Sequence, residues 1–103
     1  MDRSLLKYIC ECRQQGEKAA LVTIVETRGS TPRKAGSSML VFPDGRSLGT
    51  IGGGCGEAEV RRQALTALDD SRSQLHTVRM LNDAAADEGM VCGGIMEVFI
   101  QVL

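Results

Sequence analysis

The sequence predicts a single small α/β domain over residues 1–103, with a mixed β-sheet that carries a hairpin and two main helices packed on it. Three observations support this. The chain has 103 residues, room for one modest core. Two apolar, β-branched runs of strand length, "AALVTIVET" (19–27) and "IMEVFIQVL" (95–103), lie near its two ends. Two other segments, 2–15 and 56–70, repeat their apolar residues with helical period.

Each element follows in order. Leu5, Ile9 and Cys12 fall on one stripe of the first helix, with Leu6 and Cys10 beside it, and Gly16 is a natural stop. Strand 19–27 is followed by the loop "RGSTPRKAG" (28–36), rich in cations and hydroxyls. "SSMLVFP" (37–43) and "RSLGTI" (46–51) read as strands joined at Asp44–Gly45, a hairpin signal. A glycine run leads into the second helix, whose Val60, Ala64, Ala67 and Leu68 share a face. "QLHTVRML" (74–81) reads as a strand, 82–94 as a long loop and 95–103 as the closing strand. A loop that long in so small a domain points to function.

Composition narrows the function. Hydrophobic residues make up 43% and charged residues 24%, with a net charge of −1, so no broad nucleic-acid or membrane footprint is expected. Only Tyr8, Phe42 and Phe99 are aromatic, which argues against stacking on single-stranded nucleic acid. The N-terminus lacks the apolar core of a signal peptide, so a cytoplasmic location and reduced thiols are the expectation. Cys10 and Cys12 are two apart on a helix and point to different faces; with no CxxC pair, no structural zinc site is expected. His76 is the sole histidine, mid-strand, so no Ser/His/Asp set is proposed.

The most informative stretch is "TIGGGCGEAEV" (50–60). Gly52, Gly53 and Gly54 can take positive φ and admit a close neighbour, and consecutive N–H groups before a helix can cradle an anion. The Rossmann pattern fails, because its third glycine falls on Glu57 or Glu59. Those glutamates suit the helix dipole but would repel a phosphate. Cys55 has two readings. A helix N-terminus favours the thiolate, which binds metal or carries sulfur, whereas free cysteine is often a small buried hydrophobe. "GMVCGG" (89–94) again sets a cysteine, Cys92, against glycines Gly93 and Gly94. The two Cys-Gly segments would share a site if strands 46–51 and 95–103 end on the same sheet edge. Arg28, Gly29, Ser30 and Arg33 add a loop whose guanidinium forks suit phosphate or carboxylate.

Taken together, "TRGSTPRKAGSSMLV", "LGTIGGGCGEAEV" and "GMVCGGIMEVFI" resemble the N-terminal domain of the xanthine dehydrogenase accessory factor family (XdhC/CoxI). The resemblance implies binding of molybdenum cofactor and help in its sulfuration and insertion into xanthine dehydrogenase-type apoenzymes, as an accessory factor and not as an enzyme. Carried onto this chain, it marks Arg28, Gly29, Ser30, Pro32, Arg33, Gly52, Gly53, Gly54, Cys55, Glu57, Cys92, Gly93 and Gly94. The implied partners are a molybdenum hydroxylase apoenzyme, a sulfur donor and a separate Rossmann-domain chain, since longer members carry a Rossmann domain that this sequence does not reach. Two alternatives stand beside it: a persulfide carrier on Cys55, and a docking subunit without a ligand of its own. A small one-sheet domain is also expected to pair with itself. Gly56 departs from the family pattern and predicts a late start for the second helix.

Overall fold

The computed structural model describes residues 3–31, 33–80 and 94–103. In chain order the elements are α1 (Arg3–Gln15), β1 (Ala20–Arg28), β2 (Ser38–Val41), β3 (Ser47–Gly49), α2 (Gly54–Asp70), β4 (Gln74–Arg79) and β5 (Ile95–Val102). The α/β class, the two helices and the hairpin are as the sequence predicts. The expected loop 82–94 falls outside the described residues except for Gly94.

The strands form one sheet in the order β3-β2-β1-β5-β4, and every pairing is antiparallel. This corrects the mixed sheet expected from the sequence. β3, α2 and β4 do form a crossover between strands that run in the same direction. β5 slots between β1 and β4, pairing Arg28 with Ile95 on one side and Arg79 with Ile95 on the other. The crossover therefore spans the whole sheet, and no two strands of like direction become neighbours.

Alternation along each strand divides the core between two faces. Ala20, Val22 and Ile24 of β1, Met39 and Val41 of β2, and Met96, Val98 and Ile100 of β5 pack against Val60, Ala64, Ala67 and Leu68 of α2. Leu21, Leu40 and Phe42 turn to the other face and meet Leu5 and Cys12 of α1. α1 covers only part of that face. Leu75 of β4 is 64% exposed and Val25 of β1 is 47% exposed.

The hairpin turn forms as its sequence dictates. Gly45 takes φ 91°, and Asp44 accepts the Arg46 N–H at 3.0 Å and its Nε–H at 2.6 Å. These bonds hold the Asp44 carboxyl below the usual aspartate range. α2 begins at Gly54, before and not after the extra glycine at 56. The reason is steric. A side chain at position 56 would press on Met80, whose Sδ lies 2.9 Å from where a Cβ would sit. Glycine there lets the helix start close to the sheet, and that contact offsets its low helix propensity.

Ile100 is fully buried against α2, whereas Leu75 stands in solvent. Ile100→Ala is expected to cost about 3 kcal/mol in urea unfolding, and Leu75→Ala less than about 0.5 kcal/mol. Equal losses would show that the open face is covered in solution.

Candidate functional site

The glycine turn is organised by one carboxylate. Oε1 of Glu57 accepts the Thr50 hydroxyl at 2.5 Å, the Ile51 N–H at 3.0 Å and the Gly53 N–H at 3.2 Å. Thr50 Oγ1 in turn accepts the Gly52 N–H at 3.0 Å. Oε2 lies 3.4 Å from Arg61, one helical turn on. The cradle of N–H groups is thus filled by the chain's own anion. Burial alone would push the Glu57 carboxyl up, but the bonds from Thr50, Ile51 and Gly53 and the charge of Arg61 outweigh it and hold the group below the usual glutamate range. Gly53 caps the helix with φ 74°, a conformation a side chain would strain.

Cys55 is the second residue of α2 and is exposed. Of its two readings, the buried hydrophobe falls away, and the thiol is open to reactants. Cys12 takes that buried role instead. Burial, followed by the charges of Glu17 and Glu11, pushes its thiol up.

Three segments remote in sequence meet at one end of the sheet. At the start of β5, Gly94 lies so close to loop 28–31 that a Cβ there would overlap the Ser30 carbonyl oxygen and the Thr31 methyl. The Gly94 carbonyl accepts the Met80 N–H at 2.8 Å. The Met80 thioether rests on Gly56, next to Cys55. Ser30, Gly94 and the α2 N-terminus are therefore linked through Met80. Cys92, Gly93 and Pro32 lie outside the described residues. Neither Met80 nor Thr50 has a place in the site read from the sequence. For Thr50 the signal was its place just before the glycine run; for Met80, whose contact is with the distant Gly56, the sequence carries none.

The two arginines of the loop part company. Arg28 extends over the open sheet face, 3.4 Å from Glu26, in a shallow cleft of about 230 Å³ shared with Thr77, Arg79, Ile95 and Glu97. Arg33 lines a larger cleft of about 640 Å³ between α1 and the β2–β3 hairpin, with Tyr8, Ser37, Ser38, Leu48 and Thr50. The glycine turn borders this cleft through Thr50. Away from both, His76 Nε2 lies 2.7 Å from Glu59 Oε2 and ties β4 to α2. No cluster of three or more potential metal ligands occurs among the described residues, and no helix there is long and apolar enough to cross a membrane.

Two outcomes test this geometry. Because Glu57 binds its proton more weakly folded than unfolded, its contribution is full above the unfolded value of about 4.3 and fades as pH falls through the lower folded value. Glu57→Gln is expected to lose about 2 kcal/mol at neutral pH and to flatten part of the acid loss seen in urea unfolding. An acid profile unchanged in slope would assign that loss elsewhere. Gly94→Ala should cost about 3 kcal/mol through overlap with Ser30. Gly53→Ala faces open space and should cost only about 1 kcal/mol through its backbone angle. The reverse order of midpoints would contradict the packing at Gly94.

Comparison with known proteins agrees with the motif pattern. Residues 12–79 match the XdhC and CoxI family. The chain is 46% identical over 83 residues to the uncharacterized protein YqeB of Escherichia coli K12, covering 81% of this chain and 15% of that one. It is 39% identical over 72 residues to the molybdenum cofactor insertion chaperone PaoD of the same organism, covering 70% and 23%. It is 40% identical over 85 residues to a probable xanthine dehydrogenase component of Bacillus subtilis 168, covering 80% and 26%. The chain therefore spans about a quarter or less of the length of these relatives. A solved xanthine dehydrogenase from Bacillus halodurans shares the fold, with a TM-score of 0.70 at 20% identity over 94% of this chain and 30% of its own. On the family match across residues 12–79, the chain belongs to the XdhC and CoxI family.

Proposed function

We propose that this domain handles molybdenum cofactor during the maturation of xanthine dehydrogenase-type molybdenum hydroxylases, assisting its sulfuration and insertion into the apoenzyme. The observation that carries this reading is the exposed Cys55 thiol at the start of α2, next to Gly56, where Met80 links the helix to Gly94 and Ser30. The name of one relative, a molybdenum cofactor insertion chaperone, supports it.

The residues present fit such a cargo in a defined way. A molybdenum–dithiolene centre is a soft partner for thiolate, and Cys55 offers one in the open. A phosphate finds no room in the glycine cradle, because Glu57 already takes the Ile51 and Gly53 N–H groups. Glu57, marked as a cofactor contact by the family resemblance, acts here through the turn: it fixes the backbone that presents Cys55. Any cargo phosphate must instead meet a guanidinium, and Arg33 borders the larger cleft. When bound, the cargo supplies the molybdenum and sulfur chemistry. The chain supplies grip, orientation and an accessible thiol.

The same exposure supports a second reading, Cys55 as a persulfide carrier. Its thiolate would attack the outer sulfur of a donor persulfide; a new S–S bond forms, the old one breaks, and the donor thiolate leaves. Mass spectrometry after incubation with a cysteine desulfurase separates the two. One added sulfur on Cys55 supports the carrier, and an unmodified thiol removes it.

The main reading is tested by anaerobic titration with molybdopterin. Wild type is expected to bind with defined stoichiometry, and Cys55→Ala about tenfold or more weakly, a difference of about 1.4 kcal/mol. Equal binding by both proteins would take Cys55 out of the site.

A further inference from the structure

The larger cleft has a chemistry that the glycine turn does not explain. Its volume of about 640 Å³ is in the range of small-molecule sites. One wall is Tyr8 of α1, which is 46% exposed, although Leu5 from the same helix is 5% exposed and anchors it to the core. Phe42, by contrast, is 8% exposed and belongs to the core. Tyr8 is therefore an aromatic ring backed by a packed helix and open on the side of the cleft. Leu48 adds a second apolar surface from β3. Arg33 comes from the loop between β1 and β2.

Charge decides what this cleft accepts. Arg33 is the sole charged residue among the described residues that line it; the others are apolar, hydroxylic or glycine. Thr50 cannot offer its proton, which goes to Glu57. The smaller cleft contains two arginines but also Glu26 and Glu97, so its formal charges cancel and an anion there would face carboxylates. An anionic ligand is thus directed to the larger cleft and to Arg33. A guanidinium fork suits phosphate, and an exposed ring backed by a packed helix suits the flat face of a heterocycle.

We infer that Tyr8 and Arg33 form a binding site for a phosphorylated planar heterocycle, with Tyr8 stacking on the ring system and Arg33 holding the phosphate. Where that ligand is the pterin of molybdenum cofactor, the inference rests on the function proposed above. Tyr8 lies before residue 12, outside the span that matches the family.

The sequence provides its own probe. Tyr8 is the only tyrosine and there is no tryptophan, so tyrosine emission reports on this one ring. Wild type, Tyr8→Phe, Tyr8→Ala and Arg33→Ala are titrated anaerobically with molybdopterin, and separately with a nucleoside monophosphate and with an unphosphorylated pterin. Affinity is read by equilibrium dialysis, and emission is corrected with free tyrosinamide. Saturable quenching of wild type by the phosphorylated ligands is expected. Tyr8→Ala should bind about tenfold more weakly, the scale of losing one aromatic stacking partner, while Tyr8→Phe keeps its affinity. Arg33→Ala should weaken the phosphorylated ligands and leave the unphosphorylated pterin unchanged. Molybdopterin bound at full strength without quenching, and equally by Tyr8→Ala, would overturn this site and leave the proposed function standing. Quenching by the nucleotide without molybdopterin binding would uphold the site and remove that function. Binding of neither would overturn both.

Discussion

The functional end of the molecule depends on the carboxylate of Glu57. Three consecutive glycines have no intrinsic reason to hold one conformation, and fixing them carries the largest backbone entropy cost of any residue. Glu57 meets that cost locally, by gathering Thr50, Ile51 and Gly53 onto one oxygen. One of those bonds satisfies the N–H of Gly53, the cap of α2, a donor that a helix N-terminus leaves unpaired. Cys55 then sits on a helix whose first turn is fixed in place, with its thiol free. A turn built for an external phosphate would leave those N–H groups open. This one closes them and leaves a sulfur.

Much of the architecture was legible because local patterns and tertiary packing agree. Leu5 and Cys12 on one stripe, the β-branched run before Arg28 and the Asp44–Gly45 turn each form where local rules put them. Direction within the sheet was not legible. The crossover from β3 to β4 predicts parallel neighbours only if nothing lies between, and the insertion of β5 is a choice of the whole chain. The start of α2 was misread for a similar reason. Propensity counts Gly56 as a helix breaker, but Met80, more than twenty residues on, needs the space.

The candidate site was legible in its glycines and thiol and illegible in its partners. Glu57 was singled out as a ligand contact, since sequence shows a carboxylate at a helix start but not that its reach ends on Ile51 and Gly53. Arg28 and Arg33 looked like one cationic loop. In a strand, the side chain at Arg28 is committed to one face, and it lies beside Glu26 and Glu97. Arg33, beyond the end of β1, is released from that alternation and reaches the opening beside α1. Five residues of separation thus become two different electrostatic environments.

Those environments divide the labour on the molecule's surface. On the open sheet face, Arg28 and Arg79 share the smaller cleft with Glu26 and Glu97, so its formal charges cancel. Beside α1, a single guanidinium faces hydroxyls and an aromatic ring with no opposing anion among the described residues. Thr50 lines that cleft, and its hydroxyl is shared by Glu57 and Gly52. It belongs at once to the wall of the cleft and to the bonds that shape the glycine turn.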